Sequence, residues 1–129
     1  LEFPRDNCLL LSDFTYSGDE VYVQQDEGRL VAMSKDASQL GDVAGELVGI
    51  TRVSSALFSH MLAVSEQAFE HDLYFDYETD CLVTASAHHP VYCHLVPGLS
   101  WAEIDDAAHL ERARSIVYPE IARRDAAAP

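Results

Sequence analysis

Apolar and polar positions alternate along this chain with periods that change from segment to segment, and each change marks an element. Cys8 to Leu11 is a short continuous apolar run, the pattern of a buried strand. Glu20 to Gln25 alternates, with Val21 and Val23 on one face, and Arg29 to Met33 forms a second such run. Asp26-Glu27-Gly28 between them predicts a β-hairpin. Residues 35 to 44 mix Ser, Gln, Gly and Asp without periodicity and read as an exposed loop.

Gly45 to Val53 reads as another strand, after which Ser54 or Ser55 is placed to cap a helix. Leu57, Phe58, Met61, Leu62, Ser65 and Phe69 trace a stripe of period 3.6, which predicts that this helix packs one face on a sheet. Asp76 to Ala87 reads as a second helix and Val91 to Val96 as a strand that Pro97-Gly98 ends. A further helix is expected from Asp106 to about Ile116, with Tyr118-Pro119 interrupting it and leaving a short tail helix. Strands alternating with helices, plus one hairpin, predict an α/β layer with a mixed sheet.

Composition narrows the function classes. At 129 residues with 48% apolar content, the chain has material for one real core. Its net charge of −14 argues against nucleic acid or an anionic membrane as partner, because the surface repels phosphate. Cys8, Cys81 and Cys93 form no C-x-x-C pair, so neither a zinc site nor a disulfide framework is expected, and free buried thiols suggest a cytoplasmic protein. No apolar run approaches the roughly 20 residues needed to span a bilayer, and no signal-peptide pattern opens the chain. Residues 1–124 read as part of one domain and the Ala-rich residues 125–129 as a tail or linker.

The densest chemistry lies in Trp101-Ala102-Glu103-Ile104-Asp105-Asp106, followed by the amphipathic stretch from Ala107 to Arg114. Three carboxylates within four residues suit a hard cation. They equally suit a helix start, where an Asp accepts hydrogen bonds from free N–H groups and meets the positive end of the helix dipole. Under strict strand alternation Glu103 and Asp105 share a face, whereas Asp106 is the better placed cap.

This segment resembles the C-terminal signature of the sugar-phosphate-type nucleotidyltransferases, in the branch that cytidylylates phosphocholine and phosphonates. The likeness extends upstream through Gly18-Asp19-Glu20-Val21-Tyr22-Val23, Met33-Ser34-Lys35-Asp36, Gly45-Glu46-Leu47-Val48-Gly49-Ile50 and Tyr77-Glu78, in the family's order. It is greatest to the cytidylyltransferase domain fused to phosphoenolpyruvate phosphomutase in phosphonate antibiotic pathways such as that to fosfomycin. The resemblance implies a Rossmann-like layered fold with a mixed β-sheet. It implies transfer of CMP from CTP to a small phosphonate such as 2-hydroxyethylphosphonate, with phosphocholine and 2-aminoethylphosphonate as alternative acceptors.

By the same resemblance, Asp105 is a catalytic ligand of Mg2+ and Glu103 joins it directly or through water. Asp13 is the nearest counterpart of the family's other metal-binding Asp. Lys35 falls where the family reaches substrate phosphate, and Glu46 resembles its acceptor-side carboxylate. Asp76, Tyr77 and Glu78, with Trp101, fall where the family gathers acceptor-binding groups, and such a wall can hold a cationic amine. Each has a plainer alternative: a solvated lysine, a charge that discourages edge pairing, aromatics used in the core. The three histidines 88, 89 and 94 read as structural. The family's glycine-rich phosphate loop has no counterpart here, so the chain resembles the C-terminal part of such a domain. An N-terminal segment of the same domain, and a fused phosphomutase domain, are the partners this implies. A homodimer stays open, as does a non-catalytic acceptor-binding or dimerisation module.

Overall fold

A computed structural model describes residues 5–16, 18 and 20–127. The chain divides into two compact units, Leu1–Pro97 and Gly98–Pro129. In the first, five strands close into a barrel: β1 (Cys8–Ser12), β2 (Tyr22–Asp26), β3 (Arg29–Ser34), β4 (Val43–Arg52) and β5 (Tyr92–Val96), in the spatial order β1-β4-β2-β3-β5. The hairpin appears as expected. Glu27 and Gly28 form its two-residue turn with φ of 49° and 78°, the doubly left-handed geometry that matches strand twist.

The expected Rossmann-like layered sheet is not what forms. A layered mixed sheet keeps two edges, but here β5 pairs in parallel with all of β1 and also reaches β3 through the Arg29–Tyr92 pair. Leu30 N–H donates to Val91 C=O at 2.8 Å and Cys93 N–H to Gly28 C=O at 2.9 Å, completing the closure. Four strands have five or six residues and β4 has ten, and the ladders break register between Leu9 and Leu11, between Val23 and Gln24, and between Gln24 and Gln25. Such bulges increase local bend and twist, which lets a small sheet close on itself and removes its edges. The largest bulge lies in β4, where Leu9 and Leu11 face Thr51 and Leu47, and Gly49 between them takes φ of 75°.

β1 is buried along its whole length, as its continuous apolar run predicts. Leu9 and Leu11 join Val23, Leu30, Met33, Leu47 and Val91 in the core. Residues 53–91 return the chain from β4 to β5 through α1 (Ser55–Ala68), a π-helical turn (Tyr77–Leu82) and α2 (Val83–Ser86). Ser54 caps α1 by accepting from Leu57 N–H. Leu57, Leu82 and Ala85 close the core. The apolar stripe of α1 does not pack as a whole: Leu57 is its one buried residue and Met61 is half-buried, whereas Phe58, Leu62 and Phe69 are exposed.

In the second unit, α3 (Ala107–Arg112), a π-helical stretch (Ala113–Val117) and α4 (Tyr118–Ala127) follow without a break. Pro119 does not end the helix: it follows directly on the π-helical stretch, where the backbone ladder has already shifted to the wider spacing. Arg124 ties α4 to Gly98 C=O and pairs with Glu120 one turn earlier. Among the described residues, no helix is long and apolar enough to cross a membrane.

Candidate functional site

Lys35 and Asp76 lie 41 positions apart in the chain, and the fold brings them into electrostatic range. β3 ends at Ser34 and delivers Lys35, while Asp76 begins the π-helical turn. Asp76 caps that turn, accepting from Glu78 N–H and Thr79 N–H, both at 2.8 Å, and from the Thr79 hydroxyl at 3.1 Å. Partial burial pushes its carboxyl up, but these donors and the Lys35 charge outweigh that and hold it below the usual carboxylate range. Asp76 is therefore ionised at neutral pH and fixed in position by its own turn.

Tyr77 and Glu78 follow directly and line a cavity of about 200 Å³ with Thr51, Val53, Phe58, Met61 and Leu82. β4 supplies Thr51 near its end, the link to α1 supplies Val53, α1 supplies Phe58 and Met61 from positions three apart, and the π-helical turn supplies Tyr77, Glu78 and Leu82. The lining is mostly apolar, with two aromatic rings and one carboxylate residue. That combination suits the organic part of a small ligand, oriented by few polar groups.

Glu46 occupies a different environment. It stands in β4 where pairing passes from β1 to β2, opposite both Ser12 and Tyr22, and it is fully buried. Both its carboxylate oxygens accept from Thr15 N–H, at 2.9 and 2.8 Å, so it anchors the loop between β1 and β2. Glu20, also buried, accepts from Gly18 N–H at 2.8 Å in the same loop. Burial pushes the nearby Tyr22 hydroxyl up, and the charges of Glu20 and Glu46 add to it. Glu46 does not line the cavity, and the acceptor-side role implied by resemblance gains no geometric support. Asp13 is exposed beside Ser12, and Asp19 of the Gly18-to-Val23 likeness lies outside the described residues.

The remaining candidates belong to the second unit. Trp101 is half-buried, and Glu103 and Asp105 are exposed in a segment without regular structure. Asp106 is the N-cap of α3, accepting from His109 N–H at 2.8 Å. That bond leads the causes that lower its pKa. Asp105 N–H meets His109 Nδ1 at 3.5 Å, a marginal contact that leaves the Asp105 carboxylate out of the capping. Among the described residues, no group of three or more His, Cys, Asp or Glu is arranged to hold a metal ion. Mg2+ is commonly held by one or two carboxylates together with substrate phosphates, and Glu103 and Asp105 suit that donor chemistry although they form no cage by themselves.

Cys8 and Cys93 are held away from the thiolate form. Burial pushes Cys93 up to about 12, with Cys8 adding to the shift, and burial raises Cys8 itself. His88 and His89 pack against His60, with ring centroids 5.3 Å apart in both pairs, which agrees with a structural role. Phe58, Met61, Thr51, Val53 and Leu82 are the site residues that sequence patterns did not single out. Only Phe58 and Met61 carried a signal, as neighbours on one helical face. No family model matches the chain.

Proposed function

We propose that this chain is the acceptor-binding part of a magnesium-dependent cytidylyltransferase that transfers CMP from CTP to a small phosphonate. The observation that carries the reading is that Tyr77 and Glu78 line one small, mostly apolar cavity, while Asp76, the residue before them, feels the charge of Lys35; resemblance marks all four as substrate-binding. In the reaction, an acceptor oxygen bonds to the α-phosphorus of CTP as the bond to the bridging oxygen breaks and pyrophosphate leaves. Such a displacement is limited by charge and alignment. The chain's own part is to place the acceptor. Lys35 meets a phosphonate oxygen, Asp76 orients the lysine, and the cavity takes the organic tail out of water. Asp105 and Glu103, in the second unit, are the residues that would hold Mg2+, which would supply positive charge against phosphate.

A second reading concerns the acceptor. Glu78, Tyr77 and Phe58 together favour a tail that ends in a cation, which points to 2-aminoethylphosphonate or phosphocholine over 2-hydroxyethylphosphonate. The test is titration of the three acceptors followed by NMR of the isotope-labelled chain. The expected result is perturbation of Tyr77, Glu78 and Met61, with the amine favoured by roughly 0.5–2 kcal/mol. Lys35→Gln should weaken all three by about tenfold or more. Unperturbed Tyr77 and Glu78 at millimolar acceptor, or a Lys35→Gln variant that binds equally well, would overturn the reading.

A further inference from the structure

The outer face of α1 and the segment that follows it combine two properties that seldom coexist on a solvated surface. The first is exposed apolar area. Phe58, Leu62 and Phe69 recur at spacings of four and seven on one side of the helix, and all are about half exposed. Phe75 packs edge-on against Phe69, with centroids 6.4 Å apart, so the next segment folds back beside the helix end. That segment presents Leu73 at 81% and Tyr74 at 94% exposure. Contiguous apolar surface of this kind marks an interaction site more often than chance.

The second property is charge of one sign. Residues 53–82 contain Glu66, Glu70, Asp72, Asp76, Glu78 and Asp80 and no Lys or Arg. Glu66, Glu70, Asp72 and Asp80 are exposed, so they surround the apolar residues with negative potential. Lys35, from outside this stretch, acts on Asp76. We infer that this face docks a basic amphipathic protein segment, a helix with apolar residues on one side and Lys or Arg flanking them. An apolar helix laid against such a face buries Leu62, Phe69, Leu73 and Tyr74, and its cations meet the acidic rim.

Charge decides against the other occupants. A second copy would set one acidic rim against its equal, since the interface of a twofold dimer is self-complementary and each copy carries −14. An anionic bilayer would be repelled for the same reason. This inference is separable from the acceptor reading: Phe58 and Glu78 border the cavity, but Leu62, Glu66, Phe69, Glu70, Leu73 and Tyr74 lie outside its lining.

The experiment uses the whole chain and three synthetic helical peptides: a one-sided Leu/Lys helix, a Leu/Glu helix with the same apolar pattern, and a Lys peptide with its leucines scattered. Fluorescence anisotropy should show binding of the Leu/Lys helix alone, weakening as salt rises. Leu62→Gln and Tyr74→Ser should each weaken it by about tenfold, the scale of losing one interface anchor. Glu66→Gln with Glu70→Gln should flatten the salt dependence. All these positions are exposed, so the variants should melt like the parent and still bind acceptor if the parent does. The inference is overturned if the Leu/Glu or scattered peptide binds equally, if Leu62→Gln and Tyr74→Ser leave binding unchanged, or if the face instead drives self-association in sedimentation or binding to zwitterionic vesicles.

Discussion

β1 and α1 are both written in strongly apolar sequence, yet β1 buries all five of its residues whereas α1 buries only Leu57. The difference comes from what surrounds each element. β1 lies between β4 and β5 in the closed sheet, with Leu9 and Leu11 in the core, and both of its faces are covered. α1 is part of the chain's return from β4 to β5 and meets the core through Leu57 and the half-buried Met61 only. Apolar content sets how much surface a segment offers for burial, and closure of the barrel sets how much is accepted. The surplus on α1 is then available for ligand or partner, which β1 can never be.

The comparison is broken most directly by truncation. Leu9→Ala and Leu57→Ala, at fully buried positions, should each cost about 2–5 kcal/mol. Leu62→Ala on the outer face should stay within about 0.5 kcal/mol. Urea unfolding midpoints compare the three, and an equal loss at Leu62 would mean that α1 buries its stripe after all.

A second test adds an atom rather than removing one. A Cβ on Gly45 would lie 2.5 Å from Ser12 C=O, inside the β1–β4 ladder, and a backbone atom cannot yield as a flexible side chain does. Gly45→Ala should destabilise by about 1–3 kcal/mol through overpacking. Glu46→Ala, beside it, deprives Thr15 N–H of its acceptor and should cost a similar 1–3 kcal/mol, with hydrogen exchange at Thr15 accelerating first.

The smallest effects concern caps and pH. Asp76 and Asp106 have folded pKa values held below the ordinary one. As pH falls from neutral, the unfolded chain therefore takes up protons before these groups do. Their stabilisation is complete above the ordinary carboxylate range near about 4 and is lost as pH drops through the lowered folded values. Asp76→Asn and Asp106→Asn keep a capping oxygen but abolish the titration. Their melting temperatures should converge with that of the parent in acid, and a parallel offset at every pH would remove the electrostatic explanation.

Local structure was legible because it depends on local rules. The continuous run at Cys8, the Glu27-Gly28 turn, the Ser54 cap and the Asp106 cap all follow from periodicity, left-handed φ and free helix N–H groups. The layered sheet was misjudged for a long-range reason. Alternation of strands and helices suits open sheets and closed barrels alike, and nothing near Tyr92 announces that it will pair with Arg29 as well as Cys8. The site divides in the same way. Tyr77 and Glu78 were marked only by resemblance to a family's acceptor-binding segment, while Thr51, Val53 and Leu82 are ordinary apolar or small residues whose lining role exists only after folding.

By itself, then, the sequence determined the strands, the caps, the hairpin and the acidic surface, since each is a property of neighbours within a few residues or of net composition. Only the tertiary structure decided that the sheet closes, that Glu46 is buried against Thr15 N–H, that the Lys35 charge acts on Asp76, and that most of the α1 stripe stays outside. Those outcomes depend on which distant segments pair, and pairing is fixed by the summed register, bulges and twist of five strands rather than by any one of them.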